Sequence, residues 1–248
     1  MLPRHDHYVE PFAGSLAVLL AKAPSRYETV NDLDGDLMTF WRVLRDQPAE
    51  LIRTAHLTPH SRAEYELSKT LDGAADVERA RRVWVRLSQS RSNSMNATGW
   101  RYRRQIGHAS MPEFIDGYAT RMPAAAQRIK SVSLECRDAV DVIRDYGTEP
   151  TVCLYVDPPY LGTTRAANYR HEMTGDDQHE ELADALRSCK ASVVLSGYDS
   201  PLYADLFTGW HRTLLKAPTA LSGENGRVEV LWSNVPIGEP DLFGGSAA

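Results

Sequence analysis

Apolar positions along the chain follow two rhythms. Short apolar or alternating runs predict strands, and apolar residues spaced three and four apart predict helices. Tyr8 to Gly14 reads as a short strand entering a turn, and Ser15 to Lys22 as a small, apolar helix that ends near Pro24. Glu28-Thr29-Val30 predicts a second strand running into Asn31-Asp32-Leu33-Asp34-Gly35-Asp36, followed by a helix carrying Leu37, Phe40, Trp41 and Leu44. From about Pro48 to Lys130 the pattern is helical and polar, which predicts a helical segment in place of further sheet. Strand signals resume at Ser131 to Cys136, Thr151 to Val156 and Ala191 to Ser196. Asp176 or Asp177 is placed to cap a helix whose Leu182, Ala185 and Leu186 share one face. His211 to Lys216 and Arg227 to Ser233 predict an antiparallel pair closing the sheet, joined by a loop bearing Ser222-Gly223-Glu224-Asn225-Gly226. The class is α/β, with an interruption of the alternating order in its first half.

Composition narrows this picture. A length of 248 residues with 42% hydrophobic content supports one domain carrying an inserted lobe better than two independent domains. No stretch is long and apolar enough to span a bilayer, and Met1 to His7 lacks the apolar core of a signal peptide, so no membrane partner and a cytoplasmic location are expected. Cys136, Cys153 and Cys189 lie far apart and form no metal-binding pair, which leaves buried, reduced thiols as the expectation. His5 and His7 belong to a polar leader and are expected in solvent; no metal site is predicted. The net charge of -5 argues against a protein that is basic all over, but it allows nucleic acid to bind where cations concentrate.

Chemistry enters at Asp157-Pro158-Pro159-Tyr160, directly after the apolar run of residues 151–156. It puts a carboxylate, a backbone stripped of donors and an aromatic ring at a strand's carboxyl end, where open α/β sheets bind ligands. Acceptors beside an aromatic face suit a planar substrate bearing an amino group. The opening Glu10-Pro11-Phe12-Ala13-Gly14 has a single glycine, so the three-glycine dinucleotide signature is missing and a different nucleotide-like cofactor is favoured. The acids at residues 32–36 cluster where a ribose sits in a doubly wound fold.

Arg79 to Arg104 holds eight arginines (79, 81, 82, 86, 91, 101, 103 and 104) and no acidic residue. Trp84, Trp100 and Tyr102 interleave with them, and Asn93 sits in a run of neutral donors and acceptors, a mixture suited to phosphates and base edges. Arg91, Asn93, Trp100, Arg101, Arg103 and Arg104 are the DNA-binding candidates. Arg79, Arg82 and Arg86 share a helical face that reads equally well as solvated surface.

Taken in order, these segments resemble the Dam-like family of DNA adenine-N6 methyltransferases. Its cofactor loop runs Glu-Pro-Phe-x-Gly and its catalytic motif is Asp-Pro-Pro-Tyr. The resemblance covers nearly the whole chain. It implies a Rossmann-like methyltransferase with a mixed seven-stranded sheet, a catalytic domain of residues 1–39 plus 131–248, and an inserted helical DNA-recognition lobe over 40–130. It implies S-adenosyl-L-methionine as cofactor, held by Glu10, Pro11, Phe12, Ala13 and Gly14, with Asp32 at the ribose, Asp138 near the adenine and Asp157 beside the methyl donor. It makes Asp157, Pro158 and Tyr160 catalytic, double-stranded DNA the substrate, and a cognate restriction endonuclease a candidate partner.

The chemistry agrees. An adenine amino nitrogen is a poor nucleophile until acceptors such as Asp157 and the Pro158 carbonyl localise its lone pair. Two departures carry expectations of their own. The family's lysine-containing leading motif has no match in the seven residues ahead of Tyr8, and Leu16 stands where many relatives have glycine, which predicts a bulkier loop beside the cofactor. Cytosine-N4 methylation and a catalytically silent DNA-binding relative stand as alternatives. His179 is expected to be structural or adjacent to substrate, and Ser196-Gly197-Tyr198 to form a turn at a strand end.

Overall fold

The computed structural model describes residues 2–91, 95, 99–102, 110–160, 173, 175–215 and 229–238. The described elements follow as β1 (His7–Glu10), α1 (Ala17–Ala21), β2 (Tyr27–Asn31), α2 (Gly35–Asp46), α3 (Pro48–Leu57), α4 (Arg62–Leu67), α5 (Asp76–Gln89), α6 (Met111–Ala119), α7 (Met122–Ile129), β3 (Ser133–Glu135) and α8 (Ala139–Tyr146). After these come β4 (Val152–Val156), α9 (Asp176–Arg187), β5 (Ser192–Tyr198), α10 (Pro201–Leu206), β6 (His211–Leu215) and β7 (Glu229–Ser233). The strands form one seven-stranded sheet in the order β3-β2-β1-β4-β5-β7-β6. β1 runs parallel to β2 and β4, β2 to β3, and β4 to β5, whereas β7 is antiparallel to both β5 and β6. This is the mixed, Rossmann-like seven-stranded sheet that the family resemblance implies. Its order reverses between β1 and β4, which opens a crevice at their carboxyl ends.

Alternation along the strands sorts side chains onto two covered faces. Tyr8 and Val30 pack on one face with Leu16, Leu19, Phe40, Trp41, Leu44, Val83, Trp84, Ile115 and Met122. Val9, Leu154, Val156, Val193, Leu195 and Trp232 pack on the other, with Val142 and Ile143 of α8, Leu182 and Leu186 of α9, and Tyr203 of α10. The first cluster runs without a break from the sheet into α3, α5, α6 and α7. Each fully buried large apolar side chain contributes about 1.5–3 kcal/mol, so this continuity ties the helical segment firmly to the sheet. α2 shows why the sequence folds locally as it does. Asp34 caps it by accepting from the Asp36 and Leu37 N–H groups, and Leu37, Phe40, Trp41 and Leu44 bury one stripe.

Several local expectations are corrected. α9 begins after Gly175, not on an aspartate cap; Asp176 and Asp177 lie in its first turn, where carboxylates meet the positive end of the helix. Residues 196–198 continue β5 and form no turn. His5 and His7 are half-buried: His5 bonds to the Pro3 carbonyl and Ser25, and His7 to Thr29 at 2.9 Å. Cys153 is buried, but Cys136 is exposed. The loop between β6 and β7 lies outside the described residues. Among the described residues, no helix is long and apolar enough to cross a membrane and no three His, Cys, Asp or Glu side chains group as metal ligands.

Candidate active site

The carboxyl ends of β1, β2 and β4 open onto a cavity of about 1040 Å³. That is at the top of the roughly 300–1,000 Å³ usual for small-molecule sites, which leaves room for a nucleoside-sized cofactor and a second ring. Its lining includes Glu10, Pro11, Phe12, Ala13 and Gly14 after β1, Asp32 after β2, Asp138 before α8, and Asp157 and Pro159 after β4. Residues separated by more than a hundred positions thus meet at one crevice.

Hydrogen bonds hold these loop ends in register. The buried Asn31 amide donates to the Pro11 carbonyl at 2.9 Å and to the Arg137 carbonyl at 3.0 Å, and its oxygen accepts the Arg137 N–H at 2.9 Å. Gly14 has φ +47° and donates its N–H to Asp32 Oδ2 at 3.0 Å, while Asp32 Oδ1 accepts the Asp34 N–H at 2.9 Å. Trp41 Nε1 donates to the Gly14 carbonyl at 3.1 Å. Leu16 adopts φ +55° but is fully buried in the core and does not line the cavity, which corrects the expectation of a bulkier loop there. The left-handed backbone a glycine would supply is present, and the leucine side chain points into packing.

Glu10 is 3% exposed, and its Oε1 accepts from the Tyr8 hydroxyl at 2.6 Å and the Leu19 N–H at 2.8 Å. Burial pushes its carboxyl up to about 7; the two hydrogen bonds oppose the shift and the Asp157 charge adds to it. Asp138 caps α8 by accepting the Val140 N–H at 2.8 Å.

Asp157 Oδ1 accepts from the Ser196 hydroxyl at 2.6 Å. Pro158 is buried and Tyr160 half-buried, and neither lines the cavity; the Tyr160 ring lies 4.5 Å from that of Tyr198, and its hydroxyl reaches Glu229 at 3.3 Å. Burial, reinforced by the Asp157 charge, raises the Tyr160 phenol far above its ordinary range.

The crevice fits a nucleoside cofactor by its chemistry. An anchored acid follows β2, an open approach lies over Gly14, where nothing comes within 4 Å of an added Cβ, and the carboxylates of Glu10, Asp32, Asp138 and Asp157 belong to residues lining the cavity, which suits a cationic ligand.

The arginine-rich segment divides. Arg79 pairs with Asp36 at 2.5 Å, Arg81 with Glu64 and Glu78, and Arg82 with Glu78. Arg86 is 3% exposed and donates to the Met95 and Ser68 carbonyls. These side chains are engaged by acids and backbone carbonyls of the protein, on the face that the spacing left equally open to DNA or to solvent. Arg91, Trp100 and Arg101 do come together: the Arg91 N–H donates to the Gly99 carbonyl, the Arg101 N–H to that of Gln89, and Arg101 Nη2 to the Arg91 carbonyl at 2.6 Å. Trp100 stacks on His60 at 4.5 Å and on Tyr102 at 5.9 Å, with the Arg62 guanidinium over its ring. Asn93, Arg103 and Arg104 lie outside the described residues.

Sequence reasoning missed Glu229, His60 and Arg62, because each owes its place to a partner distant in the chain; Ser196 it placed at a strand end, without its bond to Asp157. His179, expected to be structural or adjacent to substrate, has its ring buried between the Tyr203 hydroxyl and the Met173 carbonyl.

Residues 1–218 match the model of the D12 class N6 adenine-specific DNA methyltransferases. The chain belongs to this family. Its reaction is therefore methyl transfer to adenine N6 in DNA, and it is an enzyme of the transferase class. A curated relative is the Type II methyltransferase M1.LlaDCHI of Lactococcus lactis subsp. cremoris, 26% identical over 259 residues that span 94% of this chain and 88% of the relative. A solved methyltransferase from Geobacter sulfurreducens aligns over 92% of this chain and 71% of its own, at 11% identity and a TM-score of 0.38.

Proposed function

We infer that this chain uses S-adenosyl-L-methionine to methylate adenine at a specific duplex sequence, with the crevice between β1 and β4 as its reaction centre. When bound, the cofactor supplies an electrophilic methyl group on a sulfonium. Asp32 accepts from the ribose hydroxyls, Asp138 and the start of α8 flank the adenine, and the loop Glu10 to Gly14 with Asp157 surrounds the methionyl end.

A target adenine must leave the duplex to reach this depth, at a cost of a few kcal/mol that stacking of about 1–3 kcal/mol on Tyr160 offsets. Asp157 and the Pro158 carbonyl then accept the amino hydrogens, which localises the nitrogen lone pair and stabilises the positive charge that develops on it. Residues 1–39 and 131–248 form the catalytic unit in this reading, and residues 40–130 carry recognition through Arg91, Asn93, Trp100, Arg101, Arg103 and Arg104. The Type II name of the Lactococcus relative supports a restriction endonuclease as cellular counterpart, and a DNA substrate supports a cytoplasmic setting.

The observation that carries the reading is the meeting of Asp157 with Glu10, Asp32 and Asp138 around one cavity. Methylation of mixed-sequence duplex DNA, read by mass spectrometry of the released nucleosides, tests it. N6-methyladenine is expected from the wild type and none from Asp157→Ala at unchanged circular dichroism. Transfer retained by the variant sinks the mechanism, and DNA binding without transfer by the folded wild type favours a silent relative.

A further inference from the structure

We propose that Ser196 is a positioning residue of the transfer reaction, acting through Asp157. This rests on the reading of Asp157 as acceptor of the adenine amino group. The parallel register pairs Val156 of β4 with Leu195 of β5, so the next residue on each strand, Asp157 and Ser196, meets its counterpart at the carboxyl ends. Leu195 faces the cluster with Val193 and Trp232, and by strand alternation Ser196 faces the opposite side of the sheet. Ser196 is 1% exposed and paired with Leu231 of β7, so strands on both sides fix the direction of its Cβ.

A serine hydroxyl has one proton to donate and two lone pairs to accept with. The proton goes to Asp157 Oδ1 at 2.6 Å. The hydroxyl therefore ties the carboxylate of the Asp-Pro-Pro-Tyr motif to β5. With Oδ1 bonded and its rotamer held, the carboxylate meets the amino group without a search through side-chain rotamers.

The test is single-turnover methyl transfer to duplex DNA, with radiolabelled S-adenosylmethionine, from about pH 5 to pH 8. Wild type, Ser196→Ala and Ser196→Thr are compared. Ser196→Ala is expected to lose about tenfold in rate, with the KM for DNA within about twofold. Ser196→Thr keeps a hydroxyl on a residue suited to strands and is expected to recover most of the rate. An active wild type with an unchanged Ser196→Ala rate overturns the assignment of Ser196. Equal impairment of both variants overturns it as well, because it would make the effect one of packing. A folded wild type that transfers nothing overturns the underlying reading of Asp157, and this proposal with it.

Discussion

Asp32 Oδ2 accepts the Gly14 N–H at 3.0 Å, so the acid ending β2 holds the loop that follows β1. Its second oxygen takes the Asp34 N–H, and Asp32 lines the cavity. Asp32→Asn sets an amide N–H in place of one acceptor, against a backbone donor or a ribose hydroxyl. We expect affinity for S-adenosylhomocysteine to fall at least about tenfold, equivalent to roughly 1.4 kcal/mol, with little change in thermal midpoint. Calorimetric titration decides: an unchanged Kd would remove Asp32 from the cofactor site.

Much of this arrangement was legible in the residues. The period-two and helical rhythms gave the alternating order, and the single-glycine loop and the Asp-Pro-Pro-Tyr motif marked the strand ends that face the crevice. Cross-strand chemistry was not legible. Ser196 reads as part of a turn because nothing local says that β5 continues, and only its register with β4 brings it to Asp157. The pairing of Arg79, Arg81 and Arg82 was not legible because their acids, Asp36, Glu64 and Glu78, lie outside the arginine-rich window, and for two of the three on other elements. The His60–Trp100 stack likewise joins residues forty positions apart.

Leu16 separates backbone strain from packing. Its φ of +55° costs a non-glycine residue about 1–2 kcal/mol, which Leu16→Gly would relieve. The leucine is fully buried, and removing such a side chain costs about 2–5 kcal/mol, to which glycine adds its own entropy in the unfolded chain. Packing should win, leaving the variant about 2 kcal/mol less stable in urea unfolding. A variant as stable as the wild type would mean that the strain is the larger effect.

Glu10 predicts a pH dependence of stability. Its carboxyl sits at about 7 in the fold against an ordinary 4.5. Between those values the native state holds a proton that the unfolded chain has released, so this group makes stability fall as pH rises from about 4.5 to about 7, by at most about 3 kcal/mol. Glu10→Gln keeps an acceptor for the Tyr8 hydroxyl and the Leu19 N–H without the buried charge. The thermal midpoint of Glu10→Gln minus that of the wild type should therefore grow between pH 5 and pH 8. A constant difference would show that the carboxyl titrates normally. Glu28 works the opposite way: burial would raise it, but hydrogen bonds from Arg128 and Lys22 outweigh this and hold it near about 2. Its contribution is present above about 4.5 and is lost as pH falls towards about 2.

Arg86 and Arg101 test the division of the arginine-rich segment. Arg86 lies inside the protein and its guanidinium donates to two backbone carbonyls, so Arg86→Ala leaves buried acceptors without donors. It should destabilise the fold by about 3 kcal/mol or more, and any folded fraction should bind DNA with the wild-type dependence on salt. Arg101 is half-buried at the Arg91 and Trp100 surface, with its guanidinium on the Arg91 carbonyl and over the Phe114 ring. If it meets a phosphate, Arg101→Ala should weaken binding alike across sequences and reduce the slope of log K against log salt by about 1, at an unchanged thermal midpoint. If it reads a base edge, affinity should fall by about 1–3 kcal/mol on the preferred sequence alone. Fluorescence anisotropy over a salt series separates these outcomes. An unchanged slope together with unchanged affinity would move the DNA surface away from Arg101.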